Sequence, residues 1–265
     1  MQKVSFFRGV ESMQMQFYDI NIYQFGNEYK VVYLKRFETS EPHIHEKDLE
    51  PKMIGDRFSC NISRSKSTIL GLALCNDWQY FVTFTLDAEK YDRYDLKKFI
   101  KDLSQFIRNQ RRLHNYDIKY VLIPEQHQDG AWHMHGLFSG IPWDDLEFFN
   151  AIEHPIKLVT GGYKYSKAFL NKFGFNSFGK IKSKAAVSRY ILKYVGKGLG
   201  LQDIEQGAHL YYASQRLNRP KLVKQSISDR IITDIDYKND FMASKWLSEK
   251  EYNSLDEEFS RWRYE

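Results

Sequence analysis

The stretch at residues 131–140, AWHMHGLFSG, constrains the fold most, because it sets two histidines one residue apart in an apolar run. The run predicts a β-strand, in which side chains alternate between the two faces, so His133 and His135 point the same way. We expect Met134 and Leu137 to lie on the opposite face and to be buried. Two imidazoles on one face of a rigid strand are typical of metal ligands.

A second histidine pair shows that the spacing alone does not define a site. His43 and His45 have the same spacing, but their neighbours are charged residues and a proline, with no apolar run. That composition is typical of a loop. We therefore interpret only the pair at 133 and 135 as a candidate site.

Length, charge and cysteine content narrow the class of protein. The 265 residues suffice for one large core or two modest ones, and a net charge of +5 favours an anionic partner only weakly. Cys60 and Cys75 lack the spacing of a zinc site and do not form a disulfide framework. The first residues do not resemble a signal peptide, and the longest apolar run, residues 69–75, is too short to span a bilayer. We expect a cytoplasmic protein without a membrane partner.

Hydrophobic periodicity predicts a chain of alternating strands and helices. In order, we predict a hairpin at 17–36, a loop at 38–58, a helix at 63–74, a strand at 80–86, a helix at 92–113, a strand at 118–125, the histidine strand, a short helix in 142–152, a strand-bearing insert facing nucleic acid at 155–182, and a helix at 185–197 ended by Gly198. On the strand at 80–86, Phe81, Thr83 and Thr85 share a face that is compatible with a polar site. Three regions follow: an N-terminal extension (1–58), a central domain (60–220) and a C-terminal helical tail packed on the core (221–265).

The hairpin formed by the strand at 118–125 and the histidine strand decides whether a carboxylate joins the histidines. A two-residue turn at Asp129-Gly130 would point Glu125 away from them, whereas one extra residue would bring Glu125 and His127 onto their face. A hard divalent ion requires an anionic oxygen ligand besides imidazole. We therefore predict a turn longer than two residues, with Glu125 as third ligand and Gln126 or His127 as substitutes.

The helix predicted at 185–197 carries the second reactive pattern. Tyr190 and Tyr194 are one turn apart and share a face, and Lys193 and Lys197 each follow a tyrosine by three residues. Beside a metal site, a tyrosine hydroxyl becomes a usable nucleophile, because cations stabilise its oxyanion. Attack on a phosphodiester would give a phosphotyrosine that keeps the strand ready for rejoining.

These segments together resemble the HUH endonucleases, and among them the two-tyrosine rolling-circle replication initiators of phages and plasmids. The matching segments are YFVTFT (80–85), EQHQDGAWHMH (125–135) and YILKYVGK (190–197), in that order, with a weaker match at YYASQRLNRP (211–220). The resemblance implies an α+β fold with a central antiparallel sheet and flanking helices, similar to RNA-recognition and ferredoxin-like folds.

The resemblance also implies an activity, which is site-specific nicking of single-stranded or extruded origin DNA with Mg²⁺ or Mn²⁺. It implies His133, His135 and Glu125 as metal ligands and Tyr190 and Tyr194 as nucleophiles, unranked. Lys193 and Lys197 would steady the phosphate or the tyrosinate. Basic residues at two helix ends are weaker candidates for contacts with the DNA backbone: Arg64, Lys66, Arg111 and Arg112.

Other functions remain open at this point. No phosphate-binding loop is present in the sequence, so we expect the helicase and the polymerase to come from the bacterial host. The same nicking chemistry would serve a transposase or a relaxase. A non-catalytic module that binds single-stranded nucleic acid would need only aromatic and basic residues. A zinc hydrolase is disfavoured, since there is no H-E-x-x-H motif.

Overall fold

The structure is a computed structural model that describes residues 16–36, 54–152, 154–197, 209–231 and 234–261, without the side chains of 54–60 and 256–261. His43, His45 and the predicted helix end at Gly198 lie outside this part of the chain, as does the side chain of Cys60. None of the helices described is long and apolar enough to cross a membrane.

The elements follow one another in mixed order. They are β1 (Tyr18–Phe25), β2 (Glu28–Lys35), α1 (Ile54–Cys75), β3 (Tyr80–Thr85), α2 (Leu96–His114), β4 (Lys119–Gln126), β5 (Trp132–Ser139), β6 (Glu147–Phe148), α3 (Ile156–Thr160), β7 (Lys164–Tyr165), α4 (Lys167–Lys172), β8 (Asn176–Lys180), α5 (Lys184–Tyr190), β9 (Tyr212–Ala213), β10 (Lys221–Ser228), β11 (Tyr237–Lys238), β12 (Met242–Ser248) and α6 (Glu249–Arg261). Short 3-10 segments occupy Trp143–Asp145 and Ile191–Tyr194. Two antiparallel sheets with helices confirm the predicted α+β class.

The chain divides into two compact units, one formed by residues 1–45 with 221–265 and the other by residues 46–220. The first unit contains a five-stranded antiparallel sheet in the order β10-β1-β2-β12-β11. The hairpin predicted around Gly26-Asn27 is confirmed, with Phe25 paired to Glu28. Helix α6 packs through Tyr252, whose ring stacks on Tyr29 at 4.0 Å.

The prediction of a C-terminal helical tail is wrong. Three strands, β10, β11 and β12, come from this region and join the N-terminal hairpin in one sheet, and α6 is the helix that follows them. The strand β10 reads KLVKQSIS, with a local alternation typical of a half-exposed strand. The two predicted terminal regions therefore form one unit.

The second unit is a seven-stranded antiparallel sheet in the order β6-β7-β8-β3-β5-β4-β9, so the histidine strand β5 is central. One face packs on α2 through a cluster that includes Phe84, Phe99 and Met134, as expected for Met134. The other face packs a cluster that includes Ile69 of α1, Leu137 and Tyr194. Leu137 is buried, but the face predicted for it is wrong, because positions 133, 135 and 137 share a face when the period is two.

Several element bounds differ from the predictions. Helix α1 begins at Ile54, nine residues before the predicted start at position 63. Residues 142–152 give only a 3-10 turn and the short strand β6. The predicted insert at 155–182 supplies β7 and β8, and β8 pairs directly with β3 inside the sheet. The last helix ends at Tyr190 and tightens into a 3-10 segment through Tyr194, well before Gly198.

Candidate active site

The hairpin of β4 and β5 has a three-residue turn, which confirms the prediction of a turn longer than two residues. The His127 amide donates to the Ala131 carbonyl at 3.0 Å, leaving residues 128–130 in the turn. Gly130 adopts φ +83°, a left-handed conformation that glycine accepts without a steric penalty. Glu125 is consequently paired directly with His133 and lies on the histidine face.

Two threonines of β3 orient the histidine rings. Thr83 is paired with His135 and Thr85 with His133, and the Oγ1–Nδ1 distances are 3.1 Å and 2.9 Å. Each contact leaves Nε2 as the ring nitrogen for another partner. A threonine hydroxyl donates and accepts, so it accommodates either imidazole tautomer. The strand pattern predicts these threonines on a polar face but does not indicate this role.

Burial favours the neutral form of both imidazoles. Desolvation lowers the pKa of His135 to about 4, against the opposing charge of Glu125. Desolvation likewise lowers the pKa of His133, and the neighbouring His127 adds to the effect. Neutral imidazole is the form that binds metal ions.

Glu125 connects the histidine strand to the tyrosine segment. Its side chain is buried, and its two oxygens lie 2.7 Å from His135 Nε2 and 2.5 Å from Lys197 Nζ. A neutral His135 donates from Nε2 to this carboxylate while Nδ1 accepts from Thr83. Burial opposes ionisation of Glu125, but the hydrogen bond from Lys197 and the charges of His135 and Lys197 outweigh it, so the pKa of Glu125 is lowered.

The donor set fits a divalent cation chemically. It comprises two imidazole nitrogens oriented by second-sphere hydroxyls and one buried carboxylate. In the described part of the chain, no three histidine, cysteine, aspartate or glutamate side chains are grouped as a ready metal cluster. Here His135 and Lys197 take up both oxygens of Glu125.

The two substitute ligands differ in position. The His127 ring stacks on His133, with centroids 3.6 Å apart, so His127 lies beside the predicted metal ligands. The Gln126 amide instead donates to the Gly130 carbonyl at 3.1 Å within the turn. The geometry therefore favours His127 over Gln126 as an additional ligand.

The two tyrosines meet at the end of α5. Their hydroxyl oxygens are 3.0 Å apart, and the Tyr194 ring stacks on His135 with centroids 4.0 Å apart. Tyr194 is 7% exposed, whereas Tyr190 is 46% exposed. The tightening at Ile191–Tyr194 explains the difference, because a 3-10 turn aligns residues three apart and displaces the fourth around the axis. An α-helix, as the sequence predicted, would have aligned the tyrosines more closely.

The same tightening brings Lys193 over Tyr190. Its ammonium lies 3.5 Å from the Tyr190 ring centroid and 5.0 Å from that of Tyr194. Hydrogen bonds from Lys193 and Tyr194 lower the pKa of Tyr190. Burial, followed by the contact with Tyr190, raises the pKa of Tyr194. The exposed tyrosine is therefore the one better prepared to lose its proton.

An aromatic residue that was not among the predicted site residues supports the pair. Phe81 of β3 lies next to the two threonines on the same face, with its ring centroid 5.4 Å from Tyr190 and 6.0 Å from Tyr194. Its position could have been found from the alternation of YFVTFT. Its contact with the tyrosines could not, since these lie more than a hundred residues away in the chain.

The four predicted DNA-contact residues are distributed over two helices. Arg64 and Lys66 are exposed on α1, and Arg112 is exposed near the end of α2. Arg111 is half-buried and donates to the Ile118 carbonyl through Nε at 3.2 Å and through a terminal nitrogen. The guanidinium of Arg111 thus joins α2 to the start of β4, a structural contact that the sequence did not predict.

Comparison with known proteins is informative for the central region. Residues 79–199 match a family model of replication-associated proteins, described by its member ORF2. This match supports a replication-initiator family. It spans β3 to the tyrosine segment, which includes every residue of the site described above. No curated protein and no solved structure matches the chain significantly.

Proposed function

We propose that this chain is a rolling-circle replication initiator of the HUH two-tyrosine type, which nicks and rejoins single-stranded origin DNA. The observation that carries the proposal is a continuous set of contacts. Tyr190 meets Tyr194, Tyr194 stacks on His135, and His135 contacts Glu125, which Lys197 holds from the tyrosine segment. The family match over the same residues supports it.

In the proposed reaction, the hydroxyl oxygen of Tyr190 attacks a phosphodiester phosphorus. A bond forms between this oxygen and phosphorus while the bond from phosphorus to the 3′ oxygen breaks. The proton of the tyrosine ends on the departing 3′ oxygen, giving a 3′ hydroxyl and a 5′-phosphotyrosine. Rejoining is the reverse transfer, so no other reactant is required.

We assign Tyr190 to the first attack and Tyr194 to positioning and to the second transfer. Tyr190 is exposed, so a phosphodiester can reach it, and Lys193 stabilises its oxyanion. Tyr194 is buried and its hydroxyl donates to that of Tyr190 when Tyr190 is deprotonated. Its attack on a second phosphodiester requires the segment to rearrange.

We propose Mg²⁺ or Mn²⁺ as cofactor, held by His133, His135 and Glu125. When bound, the ion would withdraw charge from a phosphate oxygen. Lys197 then balances the charge of Glu125 from the side of the tyrosines. A host helicase and polymerase would supply unwinding and extension in the bacterial cytoplasm.

The test is a covalent-adduct assay on labelled single-stranded origin DNA with Mn²⁺ or with chelator. We expect a metal-dependent adduct in wild type, its loss on the first nick in Tyr190→Phe, and its retention in Tyr194→Phe. Tyr94→Phe is the matched control, because Tyr94 is exposed and lies outside the tyrosine segment.

Each other outcome has a defined meaning. An adduct that survives in the double Tyr190→Phe and Tyr194→Phe variant would overturn the assignment of nucleophiles. Equal DNA binding with chelator and no adduct in wild type would favour the non-catalytic binding module. Transfer of the attached strand to a different DNA would favour the transposase or relaxase alternative.

A further inference from the structure

A polar cleft lies at the edge of the seven-stranded sheet, away from the tyrosines along β4. It encloses about 750 Å³ between the second half of α2, the start of β4 and residues 213–216 after β9. A second cleft of about 360 Å³ lies on the other side of residues 213–216. The four residues form a ridge shared by both clefts.

The two clefts carry a strong positive charge. Arg108, Arg111, Lys119 and Arg216 line the first, and Arg216 and Arg219 line the second. Among the described residues that line them, Asp117 is the one carboxylate, and it pairs with Lys119 at 3.1 Å. The basic edge, defined by these five cations, is therefore suited to an extended polyanion rather than to a single neutral ligand.

The basic edge leads from one face of the sheet to the other. The first cleft lies beside α2, whereas the second is lined by Leu72 and Tyr211, which belong to the apolar layer that also contains Tyr194. The ridge between them is fixed to the sheet, since the Ser214 amide donates to the Tyr120 carbonyl and the Ser214 hydroxyl accepts from the Tyr120 amide, both at 2.9 Å.

The backbone of the ridge is strained at an exposed cation. Arg216 adopts φ +60°, a left-handed conformation that costs a non-glycine residue about 1 kcal/mol or more. Such strain is concentrated at ligand clamps and active sites. It places an arginine at the point shared by both clefts.

We propose that the basic edge binds the phosphodiester backbone of the DNA strand that flanks the cleavage site. The proposal rests on the proposed function, which supplies the strand. A single strand fits better than a duplex, because the track turns around a sheet edge and duplex DNA is stiff over about 150 base pairs. Six residues of β4 separate Lys119 from Glu125, so the first cleft is about 20 Å from the histidine site.

The test is equilibrium binding of fluorescent single-stranded DNA of two lengths, measured in chelator so that no cleavage is needed. Arg108→Ala combined with Arg216→Ala removes two cations from the basic edge. Lys97→Ala combined with Lys101→Ala removes the same charge from another, exposed part of α2 and serves as the control. Thermal unfolding of both variants verifies folding.

We expect the arginine variant to lose the affinity gained by lengthening the DNA, by about tenfold, and its salt dependence to fall by about 1.4 in log–log slope. The lysine control should keep both. Equal losses in the two variants, or an unchanged length dependence, would overturn the proposal. A loss seen only with duplex DNA would assign the edge to the duplex instead. Because binding is read without nicking, failure of the nuclease proposal would leave this result interpretable.

Discussion

The hydroxyl of Thr83 is expected to matter more for activity than for stability. Thr83→Val keeps the shape and the β-branched character of the residue but removes the group 3.1 Å from His135 Nδ1. The imidazole then loses the partner that sets its orientation and tautomer. Thr83 is a positioning residue in this view, acting through His135.

The magnitude follows from what the ring nitrogen loses. A net hydrogen bond contributes about 1 kcal/mol, and a polar group left unsatisfied in a buried setting costs about 1–3 kcal/mol. The histidine side chain is 12% exposed, so water compensates little of this loss. Loss of such second-sphere partners lowers metal affinity or activity by about 10–100-fold. We expect a destabilisation of about 1–2 kcal/mol and a nicking rate reduced by at least tenfold.

Urea unfolding and single-turnover nicking at several Mn²⁺ concentrations would measure the two effects. Thr68→Val is the control, because the Thr68 hydroxyl donates to the Arg64 carbonyl on the exposed side of α1. Its effect should stay within about 0.5 kcal/mol, without loss of activity. A Thr83→Val variant that nicks like wild type at all Mn²⁺ concentrations would refute the positioning role.

Two further predictions concern the sheets. Gly136→Ala should destabilise the central unit by about 1–3 kcal/mol in urea unfolding, because the added Cβ would meet the Val121 carbonyl oxygen at 2.2 Å; unchanged stability would contradict this. Asp236 accepts from the Trp246 amide at 2.7 Å and from Lys245, and the pKa of its carboxyl is lowered from 3.8, chiefly by the former. Its contribution is thus present above pH 3.8 and lost as the pH falls through the lowered value, so Asp236→Asn should flatten the acid limb of a pH–stability curve, and a parallel limb would argue against it.

The histidine hairpin shows how far local patterns reach. Alternation placed both histidines on one face, and the need for a carboxylate there selected the longer turn that the structure contains. The same rule, applied without error, would have placed Leu137 with them. These features depend on residues within a single hairpin, which is why the sequence is sufficient for them.

Features that depend on distant pairings could not be predicted. Strand β10 pairs with β1 across some two hundred residues, and its alternating sequence does not identify its partner. The contact of Lys197 with Glu125 likewise joins two motifs that are remote in the chain. The 3-10 segment is favoured by packing of Ile191 and Tyr194 into the core rather than by any residue that breaks a helix.

The 3-10 segment also gives the two tyrosines a way to change places. A 3-10 turn advances about 120° and 2.0 Å per residue, against about 100° and 1.5 Å in an α-helix. Rewinding the four residues Ile191–Tyr194 would therefore turn Tyr194 by about 80° relative to Tyr190 and shorten the segment by about 2 Å. A screw motion of one helical turn, with the sheet unmoved, would be enough to present the second hydroxyl to a new strand.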